Sequence, residues 1–209
     1  MRQRGTRLRL LFKMQFLILA ATFVSGFCIM ALELLGGRIL APWFGGSIYV
    51  WGSLITVFML ALALGYLLGG RWSLHKPNTR RFALIFAFGG IAMLPIVMFG
   101  DQTMEMIFDR VSDPRYGSLL ASILMFFLPS AILGMASPYA VRLLTLSTES
   151  SGASAGFLYF VSTLGSAVGT LATSFYLVAL FEVNTLLLGA ILTLIATGLP
   201  LLGMKFKTP

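Results

Sequence analysis

Glu33-Leu-Leu-Gly-Gly-Arg38-Ile-Leu-Ala-Pro42-Trp-Phe-Gly45-Gly46-Ser-Ile-Tyr49-Val-Trp51-Gly52, running on without a charge to Gly69-Gly70-Arg71, is the stretch whose reading decides the fold. A carboxylate and a guanidinium close one apolar run, a proline- and glycine-bearing corner follows, and a second run begins that exceeds the roughly 20 residues needed to cross hydrocarbon. Ionisable groups at such a depth are costly unless sheltered or paired, which makes Glu33 and Arg38 the first functional candidates.

Reading outward, the same pattern recurs. The 209 residues are 58% hydrophobic and only 11% charged, a balance foreign to soluble domains. Six apolar spans stand out, roughly Met14–Leu40, Ser47–Gly70, Phe82–Gly100, Gly117–Leu143, Ala153–Phe181 and Asn184–Leu202. The ten-residue alternation of a membrane barrel is missing, and lipid offers the backbone no hydrogen-bond partners, so a bundle of helices is the solution left. The expected organisation is a basic N-terminus (1–13), a six-helix transmembrane domain (14–203) and a short tail (204–209).

The net charge of +8 is distributed as the positive-inside rule requires. With the N-terminus in the cytoplasm, the inner segments hold twelve of the fifteen basic residues: Arg2, Arg4, Arg7, Arg9, Lys13, Arg71, Lys76, Arg80, Arg81, Arg142, Lys205 and Lys207. The outer segments hold Arg38, Arg110 and Arg115. This predicts a cytoplasmic (inner) membrane protein with both termini inside, in contact with the lipid bilayer. No single basic patch forms, which argues against nucleic acid. Cys28 is the only cysteine and lies within an apolar span, so no disulfide framework or cysteine metal site exists within the chain, and its reading is a packing residue.

Pro42, Gly45 and Gly46 are expected to turn the chain, with Trp43, Tyr49 and Trp51 as interfacial anchors. Gly65 and Gly69 in the second span, and Gly156, Gly165 and Gly169 in the fifth, are small residues at the spacing that lets helices pack closely. His75, the only histidine, falls on a polar inner loop. Met104, Ile107, Phe108 and Val111, opposed by Asp101, Glu105 and Asp109, predict a short amphipathic helix on the outer surface. Pro129, Gly134 and Pro138 predict a kinked or broken fourth span. The fifth span is the least lipid-like, with Tyr159, Ser162, Thr163 and Ser166 among its hydroxyls. Such a helix belongs at a helix–helix interface or beside water.

Two readings of Glu33 stand at this point: an ion pair with Arg38 or Arg115 that seals the outer end, or a carboxylate that couples an ion or substrate. The coupling set would be Glu33, Arg38, Tyr49, Tyr159, Ser162, Thr163 and Ser166. No nucleophile–base pair, metal cluster or cofactor fingerprint is present, so neither an enzyme nor a cofactor or metal site is expected.

Gly46, Tyr49, Ser53 and Leu54 are echoed by Gly156, Tyr159, Thr163 and Leu164. The echo suggests a three-plus-three inverted repeat of the kind that builds each half of a major facilitator protein. Six helices make one half, so a homodimer is expected.

Ser25-Gly26-Phe, Leu32-Glu33-Leu-Leu-Gly-Gly-Arg38, Ala41-Pro-Trp-Phe44-Gly45 and Ser47-Ile-Tyr49 resemble the membrane domain of the spermidine-synthase-like, fused major facilitator/spermidine synthase family. So do Leu64-Gly65-Tyr66 with Gly69-Gly70-Arg71, Leu133-Gly134-Met135 with Pro138 and Arg142, and Ala155-Gly156 with Leu158-Tyr159 and Ser162 to Ser166. The resemblance implies a half-major-facilitator membrane domain, often joined to a cytoplasmic aminopropyltransferase-like domain whose nucleotide-binding motif this sequence lacks. It implies a small transporter of a polyamine or other small solute. The alternative is a membrane anchor for a separate cytoplasmic synthase-like partner.

Overall fold

The computed structural model describes residues 2–74, 77–145 and 151–204; His75, Lys76, Lys205 and Lys207 lie outside them, and for residues 2–11 and 151 only the backbone is described. The described residues are helical throughout, with no strand: α1 (Arg2–Phe44), α2 (Ile48–Ser73), α3 (Thr79–Arg110), α4 (Pro114–Gly134), α5 (Ala136–Leu144), α6 (Ser151–Ala172), a π-helical turn (Thr173–Leu177), α7 (Val178–Leu180) and α8 (Val183–Leu202). Six stretches are long and apolar enough to cross a membrane: Phe12–Phe44, Ile48–Ser73, Thr79–Arg110, Pro114–Leu144, Gly152–Leu180 and Val183–Leu202. An even number of crossings leaves both chain ends on one side. One end of the bundle is therefore the terminal end and the other the Gly45 end.

α1 is the central post. Between Ile18 and Gly37 none of its residues is exposed, and it touches every other span. The chain leaves it at Gly45, whose φ of +81° is left-handed and favours glycine. Pro42 does not turn the chain as expected but sits inside α1, two residues before its end. The second departure is α3. The expected surface helix is continuous with the third span, because nothing between Gly100 and Asp101 breaks the helix. Met104 and Ile107 are buried and Asp101, Glu105 and Asp109 face out as read, but Phe108 is exposed and Val111 only half-buried, and their helix is a rigid extension. It is pinned by Phe108, whose ring meets Trp43 at 6.0 Å and Phe44 at 6.1 Å.

The fourth span breaks at Met135, between α4 and α5. The cause is Pro138, which has no N–H for the carbonyl four residues earlier and forces the chain apart there. Pro129 remains inside α4. Gly65 and Gly69 of α2 fit against this break, the first abutting the carbonyl of Ala131 and the backbone of Gly134, the second the backbone of Met135. A Cβ at either position would collide with main chain, so the α2–α4 contact exists only because both residues are glycine.

α6 meets α1 in the same manner. Gly165 and Gly169 abut the carbonyls of Phe23 and Phe27, and Gly26 reciprocates against the Ser162 carbonyl, as Gly134 does against Leu62. These contacts recur with a shift of 100 residues between α2 and α6 (65 to 165, 69 to 169, 62 to 162) and of 108 between α1 and α4–α5 (23 to 131, 26 to 134, 27 to 135). The echo read from sequence has a shift of 110, so its register is not the one in which the helices touch. Gly156 has no neighbour at all within van der Waals reach of a Cβ.

Candidate functional site

Glu33 sits on the post, half-buried, with no hydrogen-bond or ion-pair partner among the described residues. Its helix face follows from its neighbours at helical spacing. Gly37, one turn on, abuts the Trp51 ring of α2, while Gly26, two turns back, abuts Ser162 and Ser166 of α6. Glu33 therefore looks into the strip of α1 that α2 and α6 flank.

Arg38 does not join it. Five residues along a helix is about 140° around the axis, whereas side chains meet at spacings of three or four. Arg38 is exposed and donates from Nη1 to the Val178 carbonyl at 2.9 Å, so it caps the C-terminal end of the fifth span, where a cation suits the helix dipole. Arg115 is also committed elsewhere, to Asp113 through Nη2–Oδ2 at 2.7 Å and Nε–Oδ1 at 3.0 Å. The ion pair that would have sealed the outer end is absent from the structure.

The remaining members of the set are spread along the depth of the bundle. Tyr49 lies exposed at the Gly45 end, its ring 5.8 Å from the Arg115 guanidinium carbon. α1 and α6 run the same way in the register set by Phe23 and Gly165. Ser162, whose carbonyl abuts Gly26 seven residues before Glu33, lies roughly 10 Å, and Tyr159 roughly 15 Å, nearer the terminal end than Glu33. Tyr159 is exposed and close enough to Tyr66 of α2 for their phenols to interact electrostatically. Ser166 is half-buried and donates to the Gly26 carbonyl at 3.3 Å; Ser162 is half-buried, and Thr163 faces out. Tyr159, Ser162, Thr163 and Ser166 form one lane along α6, with Glu33 near its far end and Tyr49 apart on α2, and the set does not form a compact pocket.

The lane is bare. Only 17% of the core stretch of Gly152–Leu180 is buried, the lowest share of the six, and this span also has the lowest mean hydropathy. Gly152, Gly156, Tyr159 and Thr163 are all exposed, and so are Gly52, Thr56, Met59 and Ala63, one hundred positions earlier on α2. Both open faces carry small or hydroxyl-bearing side chains among larger ones.

A separate groove of about 270 Å³ opens between α1, the π-helical turn and α8. Its α1 wall is Phe27, Cys28, Ala31 and Leu35, roughly opposite the Glu33 face, so it excludes the predicted acid. Thr173, which opens the π-helical turn, lines it, fully buried and with its hydroxyl unpartnered. Sequence reading missed this residue, since no residue type signals a π-helical turn and Thr173 resembles the hydroxyls on either side of it.

An all-helical chain with six membrane-crossing stretches is a multi-pass membrane protein. No protein-family model, curated protein or solved structure matches the chain.

Proposed function

We propose that this chain is half of a carrier, a six-helix unit of major-facilitator type that works as a homodimer with Glu33 as its coupling carboxylate. One observation carries the reading: the least apolar span is also the least buried, and it flanks an acid without a partner. In lipid that arrangement is unfavourable, and it becomes favourable when a second protein surface or an aqueous passage covers the face. The recurrence of contacts supports a three-plus-three inverted repeat. Exchanging the first span with the fourth, and the second with the fifth, turns the α1–α6 contact into the α4–α2 contact, glycines included.

A two-fold axis along the membrane normal places each α2 opposite the partner's α6. The small exposed residues of both lanes then face each other, with one Glu33 contributed from each side. The charge pattern supports an inner-membrane orientation with both termini cytoplasmic. Resemblance to the spermidine-synthase-like membrane domain makes a polyamine the first substrate to try, met by Glu33 and, at the Gly45 end, by the exposed Glu182. The test is flux of labelled polyamine or protons into liposomes carrying the purified protein. Glu33→Gln is expected to lower flux about a hundredfold, as for loss of an essential proton-transfer group; unchanged flux removes the role.

A second reading, an anchor for a cytoplasmic synthase-like partner, draws support from Arg71, Arg80 and Arg142, all exposed at the terminal end. Co-purification of a soluble partner that is lost in Arg80→Glu, with no flux, favours it.

A further inference from the structure

The groove behind α1 is unrelated to the lane that faces α2 and α6, and the carrier proposal leaves it unused. Its walls are the apolar side chains of Phe27, Leu35, Leu177 and Leu186. It runs from Phe181 and Thr185, where α8 starts, down to Thr193. Those eight residues of α8 cover roughly 12 Å, enough for a good part of an acyl chain.

Three polar features converge on it. At the mouth, one turn beyond Leu35, stands Arg38; its guanidinium is exposed and uses one donor on the carbonyl of Val178, the neighbour of Leu177. At the end of the groove marked by Phe181 and Thr185, α8 begins without a side-chain cap, so the first backbone N–H groups, including that of the groove residue Thr185, have no side-chain acceptor. In the floor is the orphan hydroxyl of Thr173, fully buried and without a partner. A buried hydroxyl in that state costs free energy until something in the groove bonds to it.

We infer that the groove between α1, the π-helical turn and α8 binds one phospholipid, with its phosphate held by Arg38 and the start of α8, an ester carbonyl accepting from the Thr173 hydroxyl, and one acyl chain lying along the apolar walls. The inference rests on the six spans crossing a bilayer and not on transport. Glu182, exposed at the same turn, sets a limit on the headgroup charge by repelling further anions.

The experiment is native mass spectrometry of the delipidated protein titrated with phosphatidylglycerol, with phosphatidylcholine and with inorganic phosphate alone. Gly189 lines the groove, and a Cβ there meets open space, so Gly189→Leu fills the groove without displacing its neighbours. The wild type is expected to keep one phosphatidylglycerol, Gly189→Leu none, and Arg38→Gln to bind it about tenfold more weakly, as for a lost charge-assisted hydrogen bond. Glu182→Gln is expected to tighten it. Binding by Gly189→Leu equal to wild type, or phosphate alone binding as tightly as the lipid, overturns the inference. Should Gly189→Leu fail to fold, Phe181→Trp at the mouth provides a second readout. Quenching by a brominated-chain lipid that saturates at one per protein supports the site, and quenching without saturation overturns it.

Discussion

The fourth and fifth spans make an instructive pair. Pro114–Leu144 is among the more apolar spans and is 56% buried over its core stretch, while Gly152–Leu180 is the least apolar and 17% buried. In water that order would follow directly, since apolar surface is driven inward. In lipid, hydrocarbon tails are as apolar as leucine, and burial follows steric fit instead. α4 and α5 are enclosed because their break admits α2's glycines and because Phe126 and Tyr139 fill the space beside α1 and α3. α6 is held chiefly along one line, Gly165 and Gly169 on α1, with a smaller contact to α5, and shows most of its remaining surface to whatever lies outside the chain.

The contrast is sharpest within α6 itself, and substitution of its glycines gives the largest expected effect. Gly169→Leu drives a side chain into the Phe27 backbone and is expected to cost about 3 kcal/mol, read as a loss of thermal stability in detergent. Gly156→Leu meets open space and should change monomer stability by less than about 0.5 kcal/mol while disrupting self-association. Equal losses of stability at the two positions would remove the distinction between a closed and an open face.

A smaller effect is expected at the Gly45 corner. Gly45→Ala forces a side chain into a left-handed conformation and should cost about 1 kcal/mol by the same thermal assay. It acts on the α1–α2 connection and so serves as a control that leaves the α6 face untouched.

The smallest effect belongs to Asp113, the N-cap of α4, whose carboxyl is held below the usual carboxylate range by hydrogen bonds from the Arg115 side chain and backbone. A lowered carboxylate pKa gives stability that is present above the ordinary value and lost as pH falls through the lowered one. Asp113→Asn keeps a capping oxygen but not the charge. Its melting temperature should fall slightly below wild type at neutral pH, and the gap should close under acid. A gap that widens under acid contradicts the assignment.

Much of this architecture could be read from residues. Spans announced themselves by length, and Pro138 announced the break in the fourth, because a missing N–H acts locally. What depends on a partner elsewhere in the chain was illegible. Five-residue spacing made Glu33 and Arg38 look like a pair, yet the angle around the helix parts them, and Arg38 finds a carbonyl 140 residues away. Asp101 to Arg110 looked like a separate helix because its polarity changes, though the backbone has no reason to stop. Glycines at 156, 165 and 169 are indistinguishable in sequence; only the position of α1 decides which two are buried.

The central claim is that the bare lane of α6 is covered by the α2 lane of a second copy. Ala63 and Thr163 are both exposed, on α2 and α6, at nearly the same level of the bundle. Cys28, the only native cysteine, is buried and can be replaced by alanine as background. Two differently tagged chains, one carrying Ala63→Cys and the other Thr163→Cys, are co-expressed and treated in their native membrane with a short thiol cross-linker. The account predicts a cross-linked species carrying both tags. It is contradicted by monomer alone, with Thr163→Cys reacting with a lipid-soluble maleimide as fast as Leu192→Cys on the exposed side of α8.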